Sequence, residues 1–501
     1  MWWEDDRVEQ EQTPTFGERI AELADAHPDA PALIFLPRDE ADVERTLTWR
    51  EFDGQANQVA RILAERGVGV GTVVVVGLWN SLEAILATAG AWKLGALVLP
   101  LRAALPNRER DQILELAQPA LVIAGEWEDV GFPLLHPDEL GKLGAYSSEP
   151  LPSEAPNPGK AIASGGSTGR SKIITDATFH PVRAADRSRG LGARPGQVQL
   201  LAAPLYHNSP FLAAFSGLAD DHTLVVMEKF DAARAVDAIG RFRVNYAYMP
   251  PIIMRRIILL PDIRERDLSS LHAVQSSAAP CPEWLKRAWI DLIGAEKVYE
   301  VYGSTEGIGA TMIRGDEWLE HPGSVGRAVS CELRILDDEG DDLPAGEVGE
   351  IFMRPLAEGG STYRYIGAPP AKGTTDGFAS IGDLGWLDAD GYLFIADRRT
   401  DLIISGGANI YPAEVEGALS EHPGVADSAV IGMPDEEWGR RVHAIIQPLD
   451  AVNPPDVGTL DRHCRDRIAS YKVPKTWEFV AELPRNEAGK IRRSGLMGNS
   501  Q

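Results

Sequence analysis

Cysteine is scarce. Cys281, Cys331 and Cys464 are the only three in 501 residues, and their wide spacing supplies neither a disulfide framework nor a zinc-like ligand set. Basic residues are outnumbered as well. Lys and Arg total 49 against 74 Asp and Glu, a net charge of −25 with no basic run, which argues against nucleic acid or an anionic membrane as a main partner. The first residues, Met1-Trp2-Trp3-Glu4-Asp5-Asp6, are acidic where a secretory leader would be basic and then apolar, so a reducing cytoplasm is the expected setting. No membrane span is expected either. The most apolar stretch, residues 72–101, is interrupted by Asn80, Ser81, Glu83 and Lys93, and it reads as a buried unit with strands at 73–76 and 96–99 around a helix at 82–94.

An apolar fraction of 44% over this length suits one large domain and one smaller one. Thr48-Trp49-Arg50-Glu51 has the Thr-x-x-Glu form of a capping box, and Phe52, Val59, Ile62 and Leu63 follow at helical spacing until Gly67. Short apolar runs at 32–35, 121–124, 200–203, 223–226 and 246–249 alternate with helical segments, the pattern of an α/β fold with largely parallel sheets. From about residue 325 to 395 the texture turns β-rich, with strands expected at 331–336, 349–353 and 392–395 and a turn at 337–340. Residues 147–159, rich in Pro, Ser and Glu, read as an exposed connection. Beyond Asp397 a small α+β unit is expected, giving domains 1–397 and 398–501.

Within the large domain, Ser164-Gly165-Gly166-Ser167-Thr168-Gly169-Arg170-Ser171-Lys172 concentrates glycines, hydroxyls and a lysine. Glycines let backbone N–H groups approach an anion, and the lysine adds a mobile charge, so the loop suits a phosphate chain. Its spacing is not the Walker pattern, because Arg170 and Ser171 separate the last Gly from the Lys. Four more motifs follow in order: Tyr302-Gly303-Ser304-Thr305-Glu306, Ile381-Gly382-Asp383, Asp397-Arg398-Arg399-Thr400-Asp401 leading to Gly406-Gly407-Ala408-Asn409, and Pro484 to Arg492 with Gly489-Lys490. This series resembles the AMP-forming acyl-CoA synthetase family of adenylate-forming enzymes over nearly the whole chain, in look closest to bile-acid, aryl and long-chain acyl-CoA ligases.

The resemblance implies a fold: a large N-terminal domain of stacked mixed sheets with helices and a β-rich subdomain, and a small mobile α+β lid hinged at Thr400 or Asp401. It also implies roles. Ser164, Gly165, Gly166, Ser167, Thr168, Gly169 and Lys172 would hold the β- and γ-phosphates of ATP. Departures from the family pattern at Ser171 and Ile173 bear on loop stiffness. Ser277, Ala278 and Ala279 would leave room for adenine, Tyr302 and Gly303 would lie beside it, Thr305 would touch the α-phosphate, and Glu306 would hold Mg²⁺. Asp383 would accept from the ribose hydroxyls, with Arg398 as its cationic neighbour. Lys490, delivered by the lid, would stabilise charge while an acyl adenylate forms. Gly406 and Gly407 would later flank the thiol of CoA. Trp438 has two readings, a CoA contact or core packing. His207 is a gate or carboxylate contact, or a structural hydrogen-bonding residue. With Asn208, Phe211, Met249, Met254, Val301, Gly303 and Ile308 it would line a pocket too bulky and apolar for acetate or an amino acid. The expected activity is ATP-dependent ligation of a hydrophobic or aromatic carboxylic acid to CoA. The alternative keeps the adenylation chemistry with a carrier protein or amine as acceptor, or with nitrite as the activated anion in diazotisation of an aromatic amine. The oligomeric state, a homodimer included, is left open.

Overall fold

A computed structural model describes residues 13–39, 41–151, 159–165, 171–176, 179–329, 331–356, 363–485, 491 and 493–496. Gly166, Ser167, Thr168, Gly169 and Lys490 lie outside the described residues. Among those described, the largest sheet has nine strands. Its six inner ones, Pro31–Leu36, Thr223–Met227, Val198–Leu201, Tyr246–Tyr248, Ala273–Ser276 and Val298–Gly303, run parallel in that spatial order. Antiparallel strands close both edges: Arg45–Thr48 on one side, and Ala310–Arg314 with Arg327–Ala328 on the other. A second, parallel sheet is built on Val73–Gly77, Leu97–Pro100 and Leu121–Ala124, runs that are almost wholly apolar because helices or sheets cover both faces.

Local chemistry sets the helices that join these layers. Thr48 Oγ1 accepts the N–H of Glu51 (3.2 Å) and the Glu51 carboxylate accepts that of Thr48 (2.8 Å), so the expected capping box starts the helix Trp49–Ala64. Ser81 caps Leu82–Lys93 by accepting from Ala84 N–H at 3.1 Å. Trp92 from that helix meets Phe16, Phe211 and Phe215 edge-on at ring-centroid distances of 4.9–5.7 Å, locking three helices together.

Two smaller sheets bear on function. Strands Lys160–Gly165 and Ser171–Asp176 pair in antiparallel register, Ser164 opposite Lys172, and so bracket residues 166–170. Their third strand, Tyr363–Ile366, comes from far along the chain, pairing Tyr365 with Ile174. The β-rich region expected at 325–395 is therefore not one unit: this strand leaves it for the pair Lys160–Gly165 and Ser171–Asp176, a pairing between distant segments that local periodicity does not encode. The rest forms a sheet centred on Gly349–Pro355, with Cys331–Leu336 and Asp383–Leu387 as neighbours. The strand Leu393–Arg398 pairs with Asp383–Leu387 through Arg398, so the first domain's sheet extends one residue past the expected boundary. The chain then forms a hairpin, Ile403–Ser405 with Ala408–Ile410, and a sheet of Val425–Asp435, Gly439–Pro448 and Thr476–Phe479 flanked by the helices Pro412–Ser420 and Val457–Arg465.

Candidate active site

The parallel strands Tyr246–Tyr248, Ala273–Ser276 and Val298–Gly303 end side by side, where an open parallel sheet offers a crevice. A small cleft there is lined by Tyr302, Gly303, Ser304, Ile308, Ile351, Met353 and Ile381. Beneath it, Lys286 and Glu300 form a buried ion pair at 2.6 Å that ties a helix to the strand carrying Tyr302.

One wall carries a carboxylate between two partners. Tyr302 donates its hydroxyl to Asp383 Oδ2 at 2.7 Å, and Arg398 Nε lies 3.3 Å from Asp383 Oδ1. Antiparallel register sets Asp383 directly opposite Arg398. Asp383 is buried while the Arg398 side chain is exposed. Burial first, then the neighbouring Asp383 carboxylate, holds the Tyr302 phenol well above its ordinary range, so it remains a donor. Gly382, at φ +86°, makes the turn that presents Asp383.

Lys172 Nζ lies 3.4 Å from Glu306 Oε1. Lys172 comes from the strand Ser171–Asp176 and Glu306 from the loop after Val298–Gly303, so two sheets converge here. Tyr365 donates its hydroxyl to the same Glu306 oxygen at 2.5 Å, and its ring centroid lies 3.6 Å from Lys172 Nζ. Sequence reasoning missed Tyr365. Its signal was the alternation Tyr363-Arg364-Tyr365-Ile366, which marks a strand but not the sheet that takes it.

The remaining candidates fall into groups. Ser277 is buried, its Oγ 3.3 Å from the Tyr248 hydroxyl and 3.4 Å from Ser209 Oγ. Ala278 sits at φ +77°, a left-handed conformation usual for glycine and costly for alanine. Ala279 follows it directly. Thr305 and Val301 are half-buried and Gly303 exposed. His207 is half-buried at the start of the helix Asn208–Ala219, its ring against Tyr206 at 4.3 Å between centroids.

The expected apolar pocket needs correction. Asn208 Oδ1 accepts from the buried Lys160 at 2.6 Å. Phe211 belongs to the aromatic cluster around Trp92 and is 1% exposed. Asn208, Phe211 and Phe215 recur at helical spacing and share the core-facing side. Met249 and Met254 have no exposed surface at all, so neither touches a ligand in this arrangement. Ile308 does line the cleft. The hydroxyls of Ser209, Tyr248 and Ser277 lie together, Ser209 and Tyr248 being next to Asn208 and Met249 in sequence.

In the lid, Gly406 and Gly407, at φ +57° and +81°, turn the hairpin beside the Trp438 indole. A Cβ on Gly406 would come within 2.5 Å of that ring. Trp438 is 44% exposed, which excludes the core-packing reading. Residues 486–490 are bracketed by a bridge between Arg485 and Ile491, and Arg485 is anchored on Asp427. Burial, together with Arg485, holds the Arg255 guanidinium of the helix Pro251–Ile258 below its ordinary value despite the nearby Asp427. Arg493 gathers Glu416 (2.8 Å), Asp401 (2.5 Å) and Asp397 (3.8 Å), joining the lid to the segment expected to act as hinge.

A nucleotide with a divalent cation fits these groups. The buried Ser276 Oγ and Ser304 Oγ have no hydrogen-bond partner among the described residues, leaving polar capacity at the strand ends. A single carboxylate such as Glu306 suffices for Mg²⁺, which prefers a few protein oxygens together with phosphate. The described residues contain no helix long and apolar enough to cross a membrane.

The family described as AMP-binding enzyme matches residues 20–356, and the AMP-binding enzyme C-terminal domain matches residues 414–490. A 2-succinylbenzoate–CoA ligase of Bacillus licheniformis is 30% identical, over 95% of this chain and 98% of its own. A fatty acid–[acyl-carrier-protein] ligase of Streptomyces coeruleorubidus, ScoC, is 29% identical, over 98% of this chain and 97% of its own. Among solved structures, the o-succinylbenzoate coenzyme A synthetase of Bacillus subtilis in complex with ATP and magnesium ion superposes with a TM-score of 0.82 at 28% identity, covering 97% of this chain and 99% of that one.

Proposed function

The chain belongs to the family of AMP-binding enzymes, and from that premise we propose that it is an ATP-dependent, AMP-forming ligase that joins a hydrophobic or aromatic carboxylic acid to CoA. ATP, Mg²⁺ and CoA are its cofactor and co-substrates. The observation that carries the reading is Asp383, a buried carboxylate held between Tyr302 and Arg398 beside the cleft, together with the Lys172–Glu306 pair. These groups suit a nucleoside triphosphate. Asp383 would accept from the ribose hydroxyls, Tyr302 would lie along adenine beside Ser277, Ala278 and Ala279, and Lys172 with the 164–169 loop would meet the phosphates. Glu306 would hold Mg²⁺, which supplies charge neutralisation on the phosphate oxygens.

In the first half-reaction an oxygen of the acid attacks the α-phosphorus and pyrophosphate leaves with the bond's electron pair. Negative charge builds up between the two, and Lys490 is the residue assigned to meet it, with Thr305 at the α-phosphate. In the second, the thiol attacks the acyl carbon and AMP departs. Gly406, Gly407 and the exposed Trp438 are assigned to the thiol's approach, and His207 to the acid's entrance. Because the reaction draws on ATP and CoA, we place the protein in the cytoplasm.

Separating the two half-reactions tests this reading. Lys490→Ala should slow acid-dependent ATP–pyrophosphate exchange by about 10²–10³-fold, the scale of one lost transition-state donor, while sparing thiolysis of preformed acyl adenylate. Equal loss of both steps would contradict the assignment. A carrier protein as acceptor is the second reading, favoured by the likeness to ScoC.

A further inference from the structure

We propose that Tyr365 is a positioning residue of the nucleotide site, holding Glu306 and Lys172 apart in function while keeping them together in space. The inference rests on the reading that Glu306 serves the metal ion and Lys172 the phosphates.

The two charges pose a conflict. An ammonium and a carboxylate 3.4 Å apart in a partly buried site attract one another strongly, and a fully formed pair would be occupied with itself instead of with a ligand. Tyr365 meets both groups at once. Its hydroxyl donates to Glu306 Oε1 at 2.5 Å, satisfying the oxygen that Lys172 faces. Its ring face lies against the ammonium at 3.6 Å, within cation–π range.

The backbone explains the precision. Tyr365 pairs with Ile174, and Lys172, two residues before Ile174, stands on the same face as the diagonal neighbour. The contact to Lys172 is thus set by register within one sheet, while the contact to Glu306 reaches across to the nine-stranded sheet. Tyr365 is the side chain through which the phosphate-loop hairpin and the metal-binding acid share one geometry.

The test compares binding, independent of turnover. Calorimetry gives the affinity of wild type, Glu306→Gln, Tyr365→Phe and Tyr365→Leu for ATP without metal, ATP with Mn²⁺, and AMP. Wild type should bind ATP more tightly with Mn²⁺, and Glu306→Gln should lose that enhancement. Tyr365→Phe keeps the ring and loses the hydrogen bond to a charged group, so the enhancement should fall about tenfold with metal-free ATP and AMP unaffected. Tyr365→Leu should in addition weaken metal-free ATP several-fold, about the worth of one partly desolvated cation–π contact. A wild-type enhancement in Tyr365→Phe, or a parallel loss of AMP affinity, overturns the inference alone. Absence of enhancement in wild type, or its survival in Glu306→Gln, overturns the metal assignment on which the inference rests.

Discussion

At Asp383 a single carboxylate organises one end of the site, and its neighbours predict the cost of removing each contact. Tyr302→Phe deletes one hydrogen bond to a charged acceptor and should weaken AMP binding by about tenfold, measured by calorimetry. Asp383→Ala should cost more, because it removes the proposed ribose acceptor and leaves Tyr302 and Arg398 without their shared partner. Ala278 makes a prediction of opposite sign. At φ +77° alanine is strained, so Ala278→Gly should raise the thermal midpoint, corresponding to about 1 kcal/mol or less once the added freedom of the unfolded glycine is subtracted. A lowered midpoint would mean that the alanine methyl contributes packing that outweighs the strain. Lys172, Glu306, Asp383 and Arg398 stood out in the sequence because their motifs occur in a fixed order, and the structure pairs Lys172 with Glu306 and Arg398 with Asp383. Tyr365 was not legible, since its role depends on a strand pairing between segments nearly two hundred residues apart. Asn208, Phe211, Met249 and Met254 misled for a related reason. An apolar or amide side chain near a site looks the same in sequence whether it faces the cleft or the core.

Elements show the same division between local and distant information. The strands at 73–77, 121–124 and 331–336 were readable as apolar or alternating runs bounded by turns, and the helix Trp49–Ala64 as a capping box followed by a periodic face. Sheet membership was not, because a strand's partners are chosen by tertiary packing. The hairpin at Gly406-Gly407 carries an element-scale prediction. A Cβ on Gly406 would collide with Trp438 as well as strain the backbone, so Gly406→Ala should slow thioester formation while ATP–pyrophosphate exchange stays near wild type. Equal effects on both would place the damage in folding of the lid. The segment around Arg493 offers another test. Three acids on different stretches converge on this guanidinium, so Arg493→Ala leaves partly buried carboxylates without their cation and should destabilise the lid by roughly 3 kcal/mol or more. Limited proteolysis of the C-terminal region would report the loss, and unchanged resistance would argue against the contact.

Over the whole molecule, the chain divides into a large N-terminal domain and a small C-terminal one. The lid has its own hydrophobic core, around Ile403, Val415, Val430, Val442, Ile446 and Leu460, as a separate domain requires. Its stability should depend on pH through His422. That ring accepts the Gly424 N–H on Nδ1, and burial, followed by His463 and Arg467, holds it below its ordinary value. Because the folded lid binds this proton less readily than the unfolded chain, stability falls as pH drops below about 6.5 and levels off beneath the folded value. His422→Gln should flatten that slope in thermal melts between pH 8 and 5, and an unchanged slope would remove His422 from the account. The most direct test of the function is formation of AMP, pyrophosphate and acyl-CoA from ATP, Mg²⁺, CoA and a panel of aromatic and long-chain acids. The account predicts that one acid class yields all three products with thioester formation dependent on CoA. Adenylate formation from such an acid with no transfer to CoA would contradict the acceptor, and ATP turnover indifferent to every carboxylic acid would contradict the ligase itself.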